Sequence, residues 1–221
     1  MKQAQLMIVY RRLLDAYGPQ DWWPADSSFE VMVGAVLTQN TAWSNVEKAI
    51  KNLKHADYLS LDKILASSDD DLAQLIRPSG YFNIKAKRLK NLCQWLMENG
   101  GEAELAEFDT ITLRSSLLHV NGVGPETADD ILLYAFERPV FVIDAYTRRL
   151  FAKLSLIEGN EPYEQLRQVF EIELEADVSL FNQYHALIVR HAKEKCLKSL
   201  DCRHCQVEGC QIIGGVVAGF N

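Results

Sequence analysis

Four cysteines fall within fifteen residues, Cys196, Cys202, Cys205 and Cys210, with five, two and four residues between them. Thiolates at that density suit a metal or cluster better than disulfides in a reducing compartment. Spacing alone leaves two occupants open, a tetrahedral zinc ion and a [4Fe–4S] cluster. Lys193, Lys195, Lys198, Arg203 and His204 crowd around them, so the loop reads as a basic patch. A second feature is the run from His119 to Ala128, which contains Gly122-Val123-Gly124-Pro125. Gly122 and Gly124 permit backbone angles that side chains forbid, and Pro125 suits the first position of a helix. The outcome is either an ordinary helix–helix turn or a set of outward N–H groups at a helix N-terminus, where a phosphate can bind. A third is Asp144, just ahead of a helical pattern. It is placed to cap that helix through the N–H of Tyr146 or Thr147. Such donors also favour the ionised carboxylate, which suits a developing cation, and Arg148 one turn on is a possible pair.

These residues need helices to hold them, and the apolar spacing supplies helices throughout. Residues 3–17 form an amphipathic pattern with Leu6, Val9, Leu13 and Leu14 inward, stopped by Gly18-Pro19. Phe29 to Thr38 is apolar nearly all round and therefore buried. Thr41 is placed to cap the next helix, about 42–55, which carries Trp43, Val46, Ile50 and Leu53. Short helices are expected over 61–66 and 69–76, then a longer one over 83–98 that begins with Lys85, Lys87 and Arg88 and ends at Gly100-Gly101. Helix 110–119 enters the glycine turn. The following helix presents Ala128, Ile131, Leu132, Ala135 and Phe136. Three more are expected over 145–154, 161–175 and 178–195. No strand-period segment, repeat or low-complexity tract interrupts the series, so the class is all-α.

The chain has 221 residues, enough for one large or two small domains with an ample core. Its net charge of −7 argues against a general polyanion binder, although a local basic face is enough for DNA. No apolar run approaches the ~20 residues of a membrane span, and the first residues lack a signal-peptide pattern. A cytoplasmic protein is expected, nucleoid-associated if bacterial. Cys93 stands alone in an apolar pattern and reads as core; the tail from Gln211 to Asn221 is expected to lie loosely on the surface.

In their order along the chain, the glycine hairpin, Asp144 and the four cysteines resemble the helix-hairpin-helix DNA glycosylases, the endonuclease III superfamily. The likeness runs from about Trp22 to Cys210 and includes the run Gly34 to Thr41 and the element Gly80-Tyr81-Phe82-Asn83 with Lys85, Ala86 and Lys87. Within that superfamily three pieces resemble the 3-methyladenine DNA glycosylase III type. They are Trp22-Trp23-Pro24, Leu37 to Thr41 with Trp43, and Arg77-Pro78-Ser79-Gly80. The chain departs from that type in having the cluster cysteines, and two of their gaps are one residue shorter than the superfamily's.

The resemblance implies a six-helix barrel domain with the hairpin over residues 25–137. It implies a discontinuous iron–sulfur domain from 1–24 and 138–221. It implies a monofunctional DNA glycosylase of base excision repair that flips an alkylated purine out of double-stranded DNA and acts as a monomer. Asp144 would stabilise the oxocarbenium-like sugar and orient water. Trp43 and one of Trp22 and Trp23 would hold the base by stacking and cation–π attraction, the third belonging to the core, with Glu126 at the pocket. Gln39 would fill the gap in the duplex. Lys85, Lys87 and Arg88, with the N–H groups of Gly122 and Gly124, would contact phosphates. Cys196, Cys202, Cys205 and Cys210 would hold [4Fe–4S], with zinc as the alternative. Glu126 occupies the position of the lysine in glycosylases that also cut the strand, and a carboxylate cannot form an imine, so no lyase activity is implied. The alternatives are an endonuclease III-like glycosylase with another lesion or mismatch, and a DNA-damage binding protein without turnover.

Overall fold

A computed structural model describes residues 2–195 of the protein. Cys196, Cys202, Cys205, Cys210, the basic residues between them and the expected loose tail lie outside the described residues. Among the described residues every regular element is helical, and no helix is long and apolar enough to cross a membrane. The described residues divide into two compact units, one of residues 25–138 and one that joins residues 2–24 to 139–195.

The contiguous unit is organised by α2 (Ser28–Leu37), in which every residue from Glu30 to Leu37 is buried. A helix buried on all sides needs neighbours on all sides, and α2 packs on α3 (Trp43–His55), α6 (Phe82–Glu98) and α9 (Pro125–Tyr134). The short helices α4 (Leu61–Ala66) and α5 (Asp69–Leu75) cover α6. Ser27, Ser60 and Ser68 each accept an N–H of the helix they precede, satisfying a donor that has no partner inside the helix. After α7 (Glu102–Ala106), α8 (Thr110–Leu118) packs on α9. Thr41 does not cap α3: the cap residue is Ala42, without a side-chain bond, and the Thr41 hydroxyl accepts from Asn45 Nδ2 at 3.3 Å. The helix expected to run to Phe136 ends at Tyr134, because the chain turns back at Glu137 (φ 51°) and the Arg138 N–H returns to Leu132 O at 2.8 Å. Cys93 is buried and its thiol is pushed up to about 12 by burial, as a core residue's would be.

The discontinuous unit contains α1 (Gln3–Tyr17), α10 (Ala145–Lys153), α11 (Tyr163–Leu174) and α12 (Val178–Glu194). Phe141 stacks on Phe170 at 4.5 Å and meets Phe181 and Tyr184 edge-on. The Tyr184 hydroxyl donates to Leu6 O at 2.7 Å, so a buried hydrogen bond joins the first helix to the last.

Candidate active site

In the contiguous unit, α8 and α9 are locked as a pair by Arg114, whose Nε and Nη2 donate to the two oxygens of buried Asp129 at 2.6 and 3.1 Å. The turn between them needs glycine at 122, where φ is +99° and a Cβ would run into the aliphatic stem of Arg88. Gly124 is the extended cap residue of α9, open on its side-chain face, with Pro125 first in the helix. The first-turn N–H groups of α9 have no intrahelical partner, and Glu126 sits exposed among them. Lys87 is exposed.

Two of the expected DNA contacts are turned inward. Lys85 is 1% exposed, and its ammonium donates to Leu37 O at 2.8 Å and Ser79 O at 2.7 Å. It is therefore unavailable to a phosphate as the chain stands. The expectation failed because Lys85 keeps helical spacing with Leu89, Leu92 and Leu96, the buried face of α6. Gln39 does not project into solvent either. Its amide donates to Gly122 O at 3.0 Å and Thr127 Oγ1 at 2.9 Å, and its oxygen accepts from Arg88 Nη1. The side chain is held against the hairpin by its hydrogen-bonding capacity at both ends. The next residue, Asn40, is the exposed one, with φ +52°. Arg88 is half-buried in the same network. Trp43 is half-buried at the first position of α3, its Nε1 donating to Glu47 Oε1 at 2.9 Å.

Sequence reasoning passed over Tyr81. It precedes α6 with φ +47° and is 68% exposed. A bulky side chain in that backbone region is an outlier, and here it presents an aromatic ring to solvent. The available signal was its place outside the apolar period of α6, directly after Gly80.

In the discontinuous unit the buried segment Val140–Ile143 delivers Asp144 to the start of α10. Asp144 Oδ1 accepts the Thr147 N–H at 2.7 Å. Its other oxygen faces His185 Nε2 of α12 at 3.6 Å. Burial pushes the carboxyl upward, but the His185 imidazole and the Thr147 donors outweigh it and hold Asp144 below its usual value of 3.8. Arg148 is not its partner: the guanidinium turns away to donate to Glu161 O at 2.8 Å. His185 lies 41 positions downstream, out of reach of any local spacing rule.

Trp22 and Trp23 are both half-buried and meet edge-on at 6.2 Å between ring centroids. Lys193 Nζ lies over the rings of Trp22 and Tyr146, 5.6 and 5.8 Å from their centroids, and Arg149 lies over Tyr146 at 5.1 Å. Gln39, Arg88, Gly122 and Thr127 are thus brought together in one unit, and Asp144 with His185, and Trp22 with Lys193, in the other. Among the described residues no group of His, Cys, Asp or Glu has the arrangement of a metal site.

A family of known proteins, the HhH-GPD superfamily base excision DNA repair proteins, matches residues 33–175. The chain belongs to the HhH-GPD superfamily. The match spans the hairpin, Asp144 and most of the helices described above, and the activity class that goes with it is that of a DNA glycosylase. A Methanocaldococcus jannaschii protein provisionally named a DNA repair glycosylase is 50% identical over 210 residues, 94% of this chain and 96% of that one. Endonuclease III of Thermotoga maritima is 31% identical over 137 residues, 62% of this chain and 61% of that one. Among solved structures, Helicobacter pylori 3-methyladenine DNA glycosylase bound to 1,N6-ethenoadenine superposes with a TM-score of 0.74. It is 35% identical, and the match covers 86% of this chain and 98% of that one. An endonuclease III–DNA complex shares the fold, with a TM-score of 0.78 at 20% identity over 96% of this chain and 98% of that one.

Proposed function

We propose that this HhH-GPD protein is a monofunctional glycosylase that hydrolyses the N-glycosidic bond of alkylated purines, 3-methyladenine among them, in double-stranded DNA. The observation that carries the reading is the carboxylate of Asp144, buried yet held ionised by Thr147 and His185. A fixed negative charge of this kind stabilises a sugar that becomes cationic as the bond to the base breaks. The bonding electrons leave with the base, so a purine already made cationic by alkylation departs neutral. Water, oriented by a hydrogen bond to Asp144, then adds at C1′ and gives up a proton through that carboxylate to solvent. Glu126 in place of an amine leaves water as the nucleophile, and the product is an intact strand with an abasic site.

The choice of alkylated purine is supported by the Helicobacter pylori relative and by aromatic rings at Trp22, Trp23 and Trp43. Indole faces bind electron-poor or cationic bases by stacking and cation–π attraction. Tyr81 and Asn40 are the exposed side chains suited to enter the duplex as the nucleotide leaves, the Tyr81 ring as a wedge that unstacks base steps and the Asn40 amide as a hydrogen-bonding group in the gap. Lys87, Arg88 and the N–H groups around Gly122 and Gly124 are suited to the phosphates. Cys196, Cys202, Cys205 and Cys210 would hold a [4Fe–4S] cluster, for which four thiolates are a sufficient ligand set. Purified protein should then be brown and contain iron, and colourless protein with one equivalent of zinc would reverse that assignment.

The test is a panel of lesion-bearing duplexes scored for free base. Methylated purines should be released, with strand breaks only after alkali. Asp144→Asn should slow release about a hundredfold or more, the scale of losing one pre-organised electrostatic contact, with DNA affinity largely kept. Release of a different lesion alone would favour the second reading, an endonuclease III-like specificity, which the Thermotoga maritima relative supports.

A further inference from the structure

Helix α6 opens with two cations one turn apart, and both point at other segments. Lys85 joins Leu37 O to Ser79 O through bonds of 2.8 and 2.7 Å. The first carbonyl belongs to the last residue of α2, where helical carbonyls lack partners and the dipole is negative. The second belongs to a buried residue in the turn that presents Tyr81; the Ser79 hydroxyl bonds Ile76 O at 2.8 Å within that turn. Arg88 donates to Gln39, which holds Gly122 O and Thr127 Oγ1, while the Arg88 stem covers Gly122. One helix end therefore holds the end of α2 with Gln39, the turn at Ser79 and the hairpin at Gly122.

An ammonium in this position is costly. Removing it from water outweighs what a methionine of similar volume would cost, so packing alone does not explain a lysine. What lysine offers is two donors for two carbonyls. Burial and the neighbouring Arg88 push it down to about 8, and even the neutral amine keeps two N–H groups, one for each acceptor.

We propose that Lys85 is a positioning residue for base flipping: by tying the end of α2 to the Ser79 turn, it fixes the spacing between Asn40 and Tyr81, the two side chains that enter the duplex. The proposal rests on the glycosylase reading and on those two residues as the inserting pair. Lys85 itself touches neither substrate nor phosphate. Its loss should weaken the opening of a paired duplex and spare the chemistry on a base that is already unpaired, because unpaired bases cost least to extrude.

The experiment compares single-turnover release of 3-methyladenine from a paired duplex and from an unpaired bulge. In Lys85→Met the duplex rate should fall about tenfold, which corresponds to ~1.4 kcal/mol in the barrier, and the bulge rate less than about twofold. Tyr81→Ala should show the same pattern. Lys85→Gln, whose shorter amide keeps a polar group at the site but cannot span both carbonyls, provides the same comparison if Lys85→Met does not fold. Equal losses on both substrates, or no loss on either, would overturn the proposal. A second readout works without turnover. In an Asp144→Asn background, 2-aminopurine paired with thymine in a duplex should brighten less on binding Lys85→Met than on binding the parent. An unchanged signal there sinks the clamp, whereas absence of base release by the wild type with a normal fluorescence difference sinks only the glycosylase reading.

Discussion

Asp144 shows what a single residue's surroundings do to its chemistry. Its folded carboxyl lies below 3.8, so it stays charged across the range in which DNA is handled. The stability this contributes is present above the unfolded value and is lost as pH falls through the lower folded one. Replacing His185 with Phe removes the imidazole that faces the carboxylate but leaves the burial, which alone raises a carboxyl. The acid limb of single-turnover release should then move toward neutrality, and activity at pH 7 should recover as the pH is raised. A pH profile that matches the wild type's would show that His185 only packs. Asp144 itself was legible, because an N-cap position is a local pattern. Its partner was not. Local spacing pointed to Arg148, whose guanidinium is taken by the loop carbonyl of Glu161, and nothing in sequence links position 144 to a histidine two helices later.

At the scale of elements, the hairpin depends on a close approach rather than on flexibility. Gly122 takes φ +99° and lies against the Arg88 stem. Gly122→Ala should therefore lose more than the ~1 kcal/mol typical of an unfavourable glycine replacement, because strain and overlap coincide. Arg88 would be displaced, and Gln39 with it. Thermal melts should show the stability loss, and titration of abasic-analogue duplex should show weakened binding; alanine accommodated without either change would mean that the turn is not held from α6. The helices were readable because their apolar residues recur at 3.6-residue spacing and several are preceded by Ser or Asp. The sequestration of Gln39 and Lys85 was hidden for different reasons. Gln39 is bound by residues 49 to 88 positions away. Lys85 was in register with Leu89 and Leu92, and its charge was read as exposure although its spacing already placed it on the buried face.

The whole molecule is assembled from a continuous segment and a split one. Residues 25–138 have their own core around α2, closed by α3, α6 and α9. The other unit needs both ends of the described chain. Leu6, Val9 and Leu13 of α1 are buried, α1 packs on α11 and α12, and the Tyr184 hydroxyl reaches Leu6 O. A fragment of residues 25–138 should therefore fold by itself, since a chain of that length can bury a sufficient core. It should show strong helical circular dichroism and one cooperative thermal transition. Its hairpin should persist, visible as slow exchange of the Val123 and Ala128 amides, which donate to Val120 O and Gly124 O. Base release should be absent, because Asp144 and His185 belong to the other unit. A fragment that melts without cooperativity and binds ANS would show that the core around α2 depends on the split unit. A fragment that releases base would be the more serious result, since it would remove Asp144 from the chemistry altogether.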